Sequence, residues 1–510
     1  MDQGSKYNSE MDVSQSVFNT QAYYEFLKNV QELASNSPNI SLINMNEVLM
    51  EKIKNSTSSR KITNLIYTNL EFNSIIEKND FSGSYLTKAQ TQWEKKLIKN
   101  FNLICTELNM PLAKKRSIVE GQELKRIWNE LGTNVSDMKK FRPIFSTSEL
   151  LEQILSLKCN NLSDLAVNSM TGLINVPISI KSLKDLKKQY ERMSLDFFQS
   201  GLDENLNSVI EQEKHKNGVK VVEINDVILS KEFSKTGCTR SLRSKLWSQI
   251  LNVNVGNLDI IYYNYLKQCV FEYDFLIDSI YYKDVKIKAV NDDQLFVFED
   301  LLYQVLLMFA RDTHVLKCYE EKSIQSPKGF IKLKNSTDLK HHPVIYPPNG
   351  FIPFDGFSML VAPICYVFAD PVLLYFIFRK FFVNHFYKLS IISSDPQSIV
   401  GLCALFENVL QSKDPKLFIQ LRKMDIQPIK IAFKWIIRAF SGYLQSSQLL
   451  ELWDRMLAFN SLEILPIFAA GIFLYRRQSL MSVPNKLHVE SILDDLKSVR
   501  VVAILQLVFA

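Results

Sequence analysis

The chain has 510 residues, 46% of them hydrophobic, so it can hold two or three domains and bury a sizeable core. That composition excludes wholesale disorder. The formal net charge of +6 is too small to indicate nucleic-acid binding, and no run of basic residues or RNA-binding aromatic motif supports it. Glycine (15 residues) and proline (16 residues) are sparse, which favours long helices and predicts an all-α fold.

The seven cysteines are scattered without a C-x-x-C pair, which is typical of reduced thiols in the cytosol. The first ten residues are polar and lack the basic-then-apolar pattern of a secretory signal. There is no phosphate-binding loop, and the pair His341-His342 has no acidic or cysteine partner at ligand spacing nearby. We therefore expect a cytoplasmic protein without a metal or a cofactor.

The first 200 residues are predicted to contain no catalytic site. Residues 1–20 are rich in Ser, Asn and Gln and are predicted to be a disordered N-terminus. From 21 to 203, apolar residues recur at every third or fourth position, which predicts a helical N-terminal region with a regulatory or partner-binding role. Residues 204–230 are predicted to be a linker, with an extended piece at 219–224.

A second helical region is predicted after this linker. In its first helix, residues 237–251, the large apolar side chains share one face with the anchor Trp247, while Arg243 lies on another face. A strongly apolar helix follows at 299–310. The polar segment 317–349 is longer than an ordinary connection, and we interpret it as a loop insertion on the surface.

The most informative stretch is a polar turn that leads into a long apolar run. The turn, Asp355-Gly356, opens a run that is long enough to cross a bilayer. Pro363 and Asp370-Pro371 interrupt it, so we predict two buried helices and no transmembrane segment. Later helices carry Trp residues predicted to be structural, and residues 481–510 are predicted to form a C-terminal helical segment.

The order of these landmarks resembles the TBC domain of Rab GTPase-activating proteins. Three motifs carry the resemblance: an opening G-x5-R-x3-W helix (Gly237, Arg243, Trp247), a signature loop and helix (residues 353–371), and a late L-W-D helix (Leu452, Trp453, Asp454). The resemblance implies that residues 231–480 form an all-helical TBC domain whose partner is a Rab-family small GTPase. Arg243, Trp247, Trp453 and Asp454, together with Trp435, are then structural.

The family's two catalytic positions are changed in this chain. In TBC proteins a Y-x-Q-G-M loop supplies a catalytic glutamine, and here Asp355 stands at that position between Phe354 and Gly356. An I-x-x-D-x-x-R motif supplies a catalytic arginine. Alignment on Asp284 places Ile287 at the arginine position.

The sequence leaves two features of the arginine position open. Lys286 and Lys288 flank Ile287 and are the candidate substitutes for the missing cation. A rival alignment on Asp293 places Phe296 at the arginine position, although the spacing to the helix at 299–310 favours Asp284. Neither alignment supplies an arginine.

These changes predict weak or absent catalysis, because an arginine finger contributes ~10³–10⁵-fold in rate. Ile287 offers no donor, and an ionised Asp355 only accepts hydrogen bonds. Beside a phosphate charge, Asp355 is unfavourable by about 4 kcal/mol unless it protonates or turns to solvent.

Three hypotheses follow. The first is a Rab-binding protein without ordinary GTPase activation, the second an active Rab GTPase-activating protein with a lysine finger, and the third an adaptor that works through its N-terminal half. The partner-binding candidates are Asp284, Lys286, Ile287, Lys288, Phe354, Asp355 and Gly356. Membrane contact is expected only as peripheral contact through the partner, on endomembranes.

Overall fold

The computed structural model describes residues 64, 83–133, 140–157, 172–174, 176, 178–201, 209–321, 328–331, 342–483 and 485–509. The predicted disordered N-terminus and most of the helical prediction for 21–82 lie outside these residues. In the described part the fold is α-helical, with two short strand pairs, and the all-α prediction is confirmed.

Among the described residues, six α-helices and one strand precede the second helical region. They are α1 (Gly83–Leu108), β1 (Ala113–Lys115), α2 (Ile118–Arg126), α3 (Thr147–Leu155), α4 (Leu183–Gln189), α5 (Val209–Ile224) and α6 (Val227–Ser234). Serine N-caps begin several of them. In α3, for example, Ser146 accepts a hydrogen bond from the Glu149 amide while the Glu149 carboxylate accepts one from the Ser146 amide.

The second helical region begins with α7 (Arg243–Ile250), α8 (Asn257–Glu272), β2 (Tyr273–Phe275), α9 (Leu276–Asp284), α10 (Glu299–Phe309), α11 (Thr313–Glu321), β3 (Lys328–Ile331) and β4 (His342–Ile345). It continues with α12 (Ala362–Cys365), α13 (Pro371–Asn384), α14 (Ile399–Lys413), α15 (Pro415–Lys423), α16 (Pro428–Ile437), α17 (Ser446–Ala458) and α18 (Ile464–Tyr475). The chain then forms α19 (Arg477–Ser482), α20 (Lys486–Asp494) and α21 (Val501–Phe509).

Two local predictions are corrected. The extended piece predicted at 219–224 is wrong, since these residues are the last turns of α5 and its valines pack against the core. The polar segment 317–349 is not all loop. It contains the end of α11 and the antiparallel pair β3–β4, in which Lys328 is opposite Ile345.

The long apolar run divides where the sequence predicts. The Asp370 side chain accepts a hydrogen bond from the Leu373 amide at 2.8 Å and so caps α13, and Pro371 is the first residue of that helix. In the part of the chain that the structure describes, no helix is both long enough and apolar enough to span a bilayer.

The N-terminal region shares one hydrophobic core with the second helical region. Buried residues from Leu86 to Val508 form a single packed cluster. Strand β1 pairs antiparallel with β2, with Ala113 opposite Phe275. Farther along, the Glu407 carboxylate accepts hydrogen bonds from the backbone amides of Leu173 and Ile174 in the N-terminal region. Lys181 also pairs with Glu463 at 2.7 Å. Removal of the N-terminal region would therefore expose apolar surface of the second helical region.

The side chains predicted to be structural lie at the centre of the fold. Trp247, Trp435 and Trp453 are fully buried. The Asp454 carboxylate accepts hydrogen bonds from Arg243 Nε at 3.0 Å and from Trp247 Nε1 at 2.7 Å, which joins α7 to α17. Burial by itself lowers the pKa of Arg243, but the charge and hydrogen bonds of Asp454 outweigh it and raise that pKa overall.

A buried carboxyl group on α1 is expected to make the stability of the protein depend on pH. Burial raises the pKa of Glu94 from its ordinary 4.5 to about 7, and a hydrogen bond from Gln90 only partly opposes this. Ionisation therefore costs stability as pH rises from ~4.5 to ~7, and the cost stays constant above that. We expect Glu94→Gln to raise the free energy of unfolding by about 1–3 kcal/mol at pH 8 and by less than ~1 kcal/mol at pH 5.

Urea unfolding at the two pH values measures this difference. Glu152→Gln on α3 is the control, because Glu152 is exposed and its neutralisation should change stability equally little at both pH values. An equal gain in the free energy of unfolding for Glu94→Gln at pH 5 and pH 8 would show that ionisation of Glu94 is not the cause of the gain.

Candidate functional site

The candidate site is built around the loop of residues 353–358. Gly356 has a φ of +92°, a left-handed conformation that favours glycine. A Cβ atom at this position would lie 2.5 Å from the guanidinium group of Arg438. After the turn, the chain passes through a 3₁₀ helix, Phe357–Leu360, into the short helix α12. Glycine is thus required here both by backbone conformation and by the close approach of a charged side chain.

Asp284 holds this loop from the end of α9. Its carboxylate accepts hydrogen bonds from the Gly356 amide at 2.6 Å and from the Ser358 amide at 2.8 Å. Burial raises the pKa of Asp284 above its ordinary range and the nearby charge of Asp355 adds to this, while the amide hydrogen bonds oppose it. The aspartate on which the first alignment rests is therefore in direct contact with the signature loop.

The Asp355 side chain is partly buried and lies close to two cationic side chains. Its carboxylate lies 2.9 Å from Lys288 Nζ and 3.8 Å from Arg438 Nη2. Arg438 also donates to the Asp355 carbonyl oxygen at 3.1 Å. The carboxylate is 29% exposed, so a negative group compensated by two cations occupies the position where the resemblance places a neutral amide.

Ile287 lies on the surface beside this group. It belongs to a π-helical turn, Val285–Ala289, that continues α9, and its side chain is 45% exposed. Lys286 pairs with Glu299 at the start of α10 at 2.9 Å. Both lysines considered as replacement fingers are thus engaged in ion pairs, Lys286 with Glu299 and Lys288 with Asp355.

Other large apolar side chains are exposed near the start of α10. Phe296 is 52% exposed, Val297 62% and Tyr366 41%. Tyr366 packs edge-on against Phe298, with ring centroids 4.8 Å apart, and its hydroxyl donates to the Gln294 carbonyl oxygen. Exposed apolar side chains of this kind, Ile287 among them, are typical of protein–protein contact.

The predicted site residues divide into a supporting set and a surface set. Asp284, Phe354 and Gly356 are buried and support the loop from behind. Lys286, Ile287, Lys288 and Asp355 reach the surface. Sequence reasoning did not identify Arg438, which follows α16 far along the chain, and no local motif marks it.

Comparison with known proteins gives a family match over part of the chain. Residues 347–481, which include the signature loop and the L-W-D helix, match the Rab-GTPase-TBC domain family. The chain belongs to the TBC-domain family, as its motifs predict. It is 41% identical over 486 residues to the human protein TBC1 domain family member 19, a match that spans 92% of this chain and 91% of that protein. Among solved structures, the Ypt/Rab-GAP domain of Gyp1p aligns with a TM-score of 0.36 and 12% identity, over 64% of this chain and 97% of that one.

Proposed function

We propose that this protein binds Rab-family GTPases through the 353–358 loop and the Ile287 turn without accelerating GTP hydrolysis by two fingers. It acts in the cytoplasm as an effector, competitor or scaffold, and it reaches endomembranes through its partner. The observation that carries the proposal is the Asp355–Lys288 ion pair of 2.9 Å at the glutamine position. An ionised carboxylate cannot donate a hydrogen bond, so it cannot orient a water molecule as an amide does.

The arginine position supports the same proposal in either alignment. Alignment on Asp284 ends at Ile287 and alignment on Asp293 ends at Phe296, and both side chains are exposed and apolar. Neither can stabilise the negative charge that develops on the γ-phosphate. Both can bury apolar surface against a partner, at roughly 25 cal/mol per Å². The site therefore retains a contact surface but has lost the groups that lower the barrier.

An active Rab GTPase-activating protein is the second candidate, and Arg438 is the observation that favours it. Its guanidinium lies at the loop, and a rearrangement of the Asp355 carboxylate would free Lys288 and remove the carboxylate contact of Arg438. Against this, Arg438 is only 15% exposed and lies behind the loop backbone. The third candidate, an adaptor, is less favoured because the N-terminal region shares the core of the TBC domain.

Single-turnover GTP hydrolysis by a panel of purified Rab-family GTPases, with and without the full chain, separates these candidates. We expect at least one Rab to bind the chain more tightly in its GTP form, with a hydrolysis rate within about twofold of the intrinsic rate. Acceleration of tenfold or more that disappears in Lys288→Ala or Arg438→Ala would favour the second candidate. Absence of binding by every Rab would overturn the proposal.

A further inference from the structure

The N-terminal region reaches both elements of the candidate site through one short segment, residues 141–146. The Phe141 carbonyl oxygen accepts a hydrogen bond from Lys283 Nζ, in the residue that precedes Asp284 on α9. Four residues later, the Phe145 carbonyl oxygen accepts one from the Asp355 amide at 3.1 Å. The 141–146 segment therefore bridges the end of α9, which leads into the turn that carries Ile287, and the loop that carries Asp355.

The segment is itself fixed to α1. Asn100 on α1 donates to the Ile144 carbonyl oxygen at 3.2 Å. The Trp93 ring meets the Phe145 ring edge-on, with centroids 5.3 Å apart. The Phe145 ring in turn lies against the Phe354 ring, with centroids 6.4 Å apart. Trp93, Phe145 and Phe354 are all buried. These close-packed rings thus connect α1 to the signature loop.

The loop is held from two directions that have different origins in the sequence. Asp284, inside the TBC domain, binds the Gly356 and Ser358 amides. The 141–146 segment, outside it, binds the Asp355 amide. Lys283 and Asp284 are adjacent, so the same helix end contributes to both attachments. Weakening the outer attachment should loosen the loop while the inner one keeps the fold intact.

We infer that the 141–146 segment is a positioning element of the partner-binding site, so that the N-terminal region sets the geometry of the TBC surface. This inference rests on the proposed function only where it concerns GTPase affinity. The position of the loop itself is independent of any partner. A regulator that shifts α1 would change partner binding without touching the surface that the partner contacts.

Lys283→Met in the full chain tests the inference. Methionine keeps the apolar stem of lysine but removes the donor to the Phe141 carbonyl oxygen. We expect amide hydrogen exchange in residues 354–358 to rise about tenfold and affinity for the best-binding GTP-loaded Rab to fall about threefold to tenfold, with the melting temperature nearly unchanged. Lys283→Arg, which keeps a donor, should leave the exchange rate at 354–358 and the Rab affinity near their wild-type values.

Two further variants separate positioning from general weakening. Asn100→Ala removes the donor on α1 that binds the Ile144 carbonyl oxygen and changes neither the Ile287 turn nor the 353–358 loop. A smaller rise in amide hydrogen exchange at 354–358 is therefore expected. Lys181→Met is the matched control, because Lys181 also joins the N-terminal region to the TBC domain but does so at Glu463. It should leave exchange in the loop unchanged.

The outcomes distinguish this inference from the proposed function. Unchanged exchange at 354–358 in Lys283→Met, or an equal rise in Lys181→Met, would overturn the positioning role. If exchange rises but no Rab binds the wild-type chain, the positioning role stands and the proposed function fails. If exchange rises and Rab affinity is unchanged, the loop is positioned by the segment but its position does not control partner binding, and that part of the inference is overturned.

Discussion

Under the proposed function, replacement of the residues at both expected finger positions, Ile287→Arg with Asp355→Gln, is expected to turn the protein into a GTPase activator. An arginine finger contributes ~10³–10⁵-fold in rate, and the foreign context should reduce this to about 10²–10³-fold for the double variant. Ile287 is 45% exposed, so a longer side chain at this position can extend into solvent without displacing the core. Asp355→Gln removes the carboxylate that pairs with Lys288 and supplies an amide that donates and accepts.

Single-turnover GTP hydrolysis with a bound Rab measures this gain, and three controls identify its origin. Ile287→Lys with Asp355→Gln should gain far less, because lysine lacks the planar fork of arginine. Ile260→Arg on α8 adds the same charge at an exposed position on a different helix and should leave the rate of GTP hydrolysis unchanged. Each single substitution should give a GTP hydrolysis rate well below that of the double variant. Rates at the intrinsic level for the double variant, despite retained binding, would argue against this placement of the fingers.

The largest loss of stability is expected from Asp454→Asn. Asp454 is fully buried and accepts hydrogen bonds from Arg243, from Trp247 and from the Cys238 amide at 3.1 Å. Neutralisation leaves the Arg243 guanidinium with Glu451, at 2.8 Å, as its remaining charged partner. Breaking a buried ion pair on one side costs about 3–5 kcal/mol, so the free energy of unfolding should fall by that amount.

Urea unfolding of the full chain measures the loss. Asp494→Asn is the matched control, because the Asp494–Lys434 pair has the same type of contact at 2.9 Å but is largely exposed, and its loss should cost less than ~1 kcal/mol. Replacement of both partners, Arg243→Met with Asp454→Leu, should recover part of the stability, since no uncompensated charge remains buried. Similar losses for Asp454→Asn and Asp494→Asn would contradict the buried network as a source of stability.

Local errors of the sequence analysis have a tertiary cause. Residues 219–224 contain β-branched valines, whose intrinsic preference favours an extended chain. In the structure they complete α5, because burying these valines against the core outweighs that preference. Arg438 was missed for a related reason: a single arginine after an apolar helix has no distinctive spacing, and only folding brings it beside Asp355.

The sequence by itself determined the helical class, the order of the landmarks and the break at Asp370-Pro371, and it places Ile287 and Asp355 where the resemblance expects the two fingers. These features depend on periodicity, capping and residue type, which are local properties of the chain. Only the tertiary structure decided that Asp355 pairs with Lys288, that Asp284 holds the loop, and that residues 141–146 attach it to the N-terminal region. Those contacts join residues far apart in sequence, and their partners are selected by packing of the whole core, which no local pattern encodes.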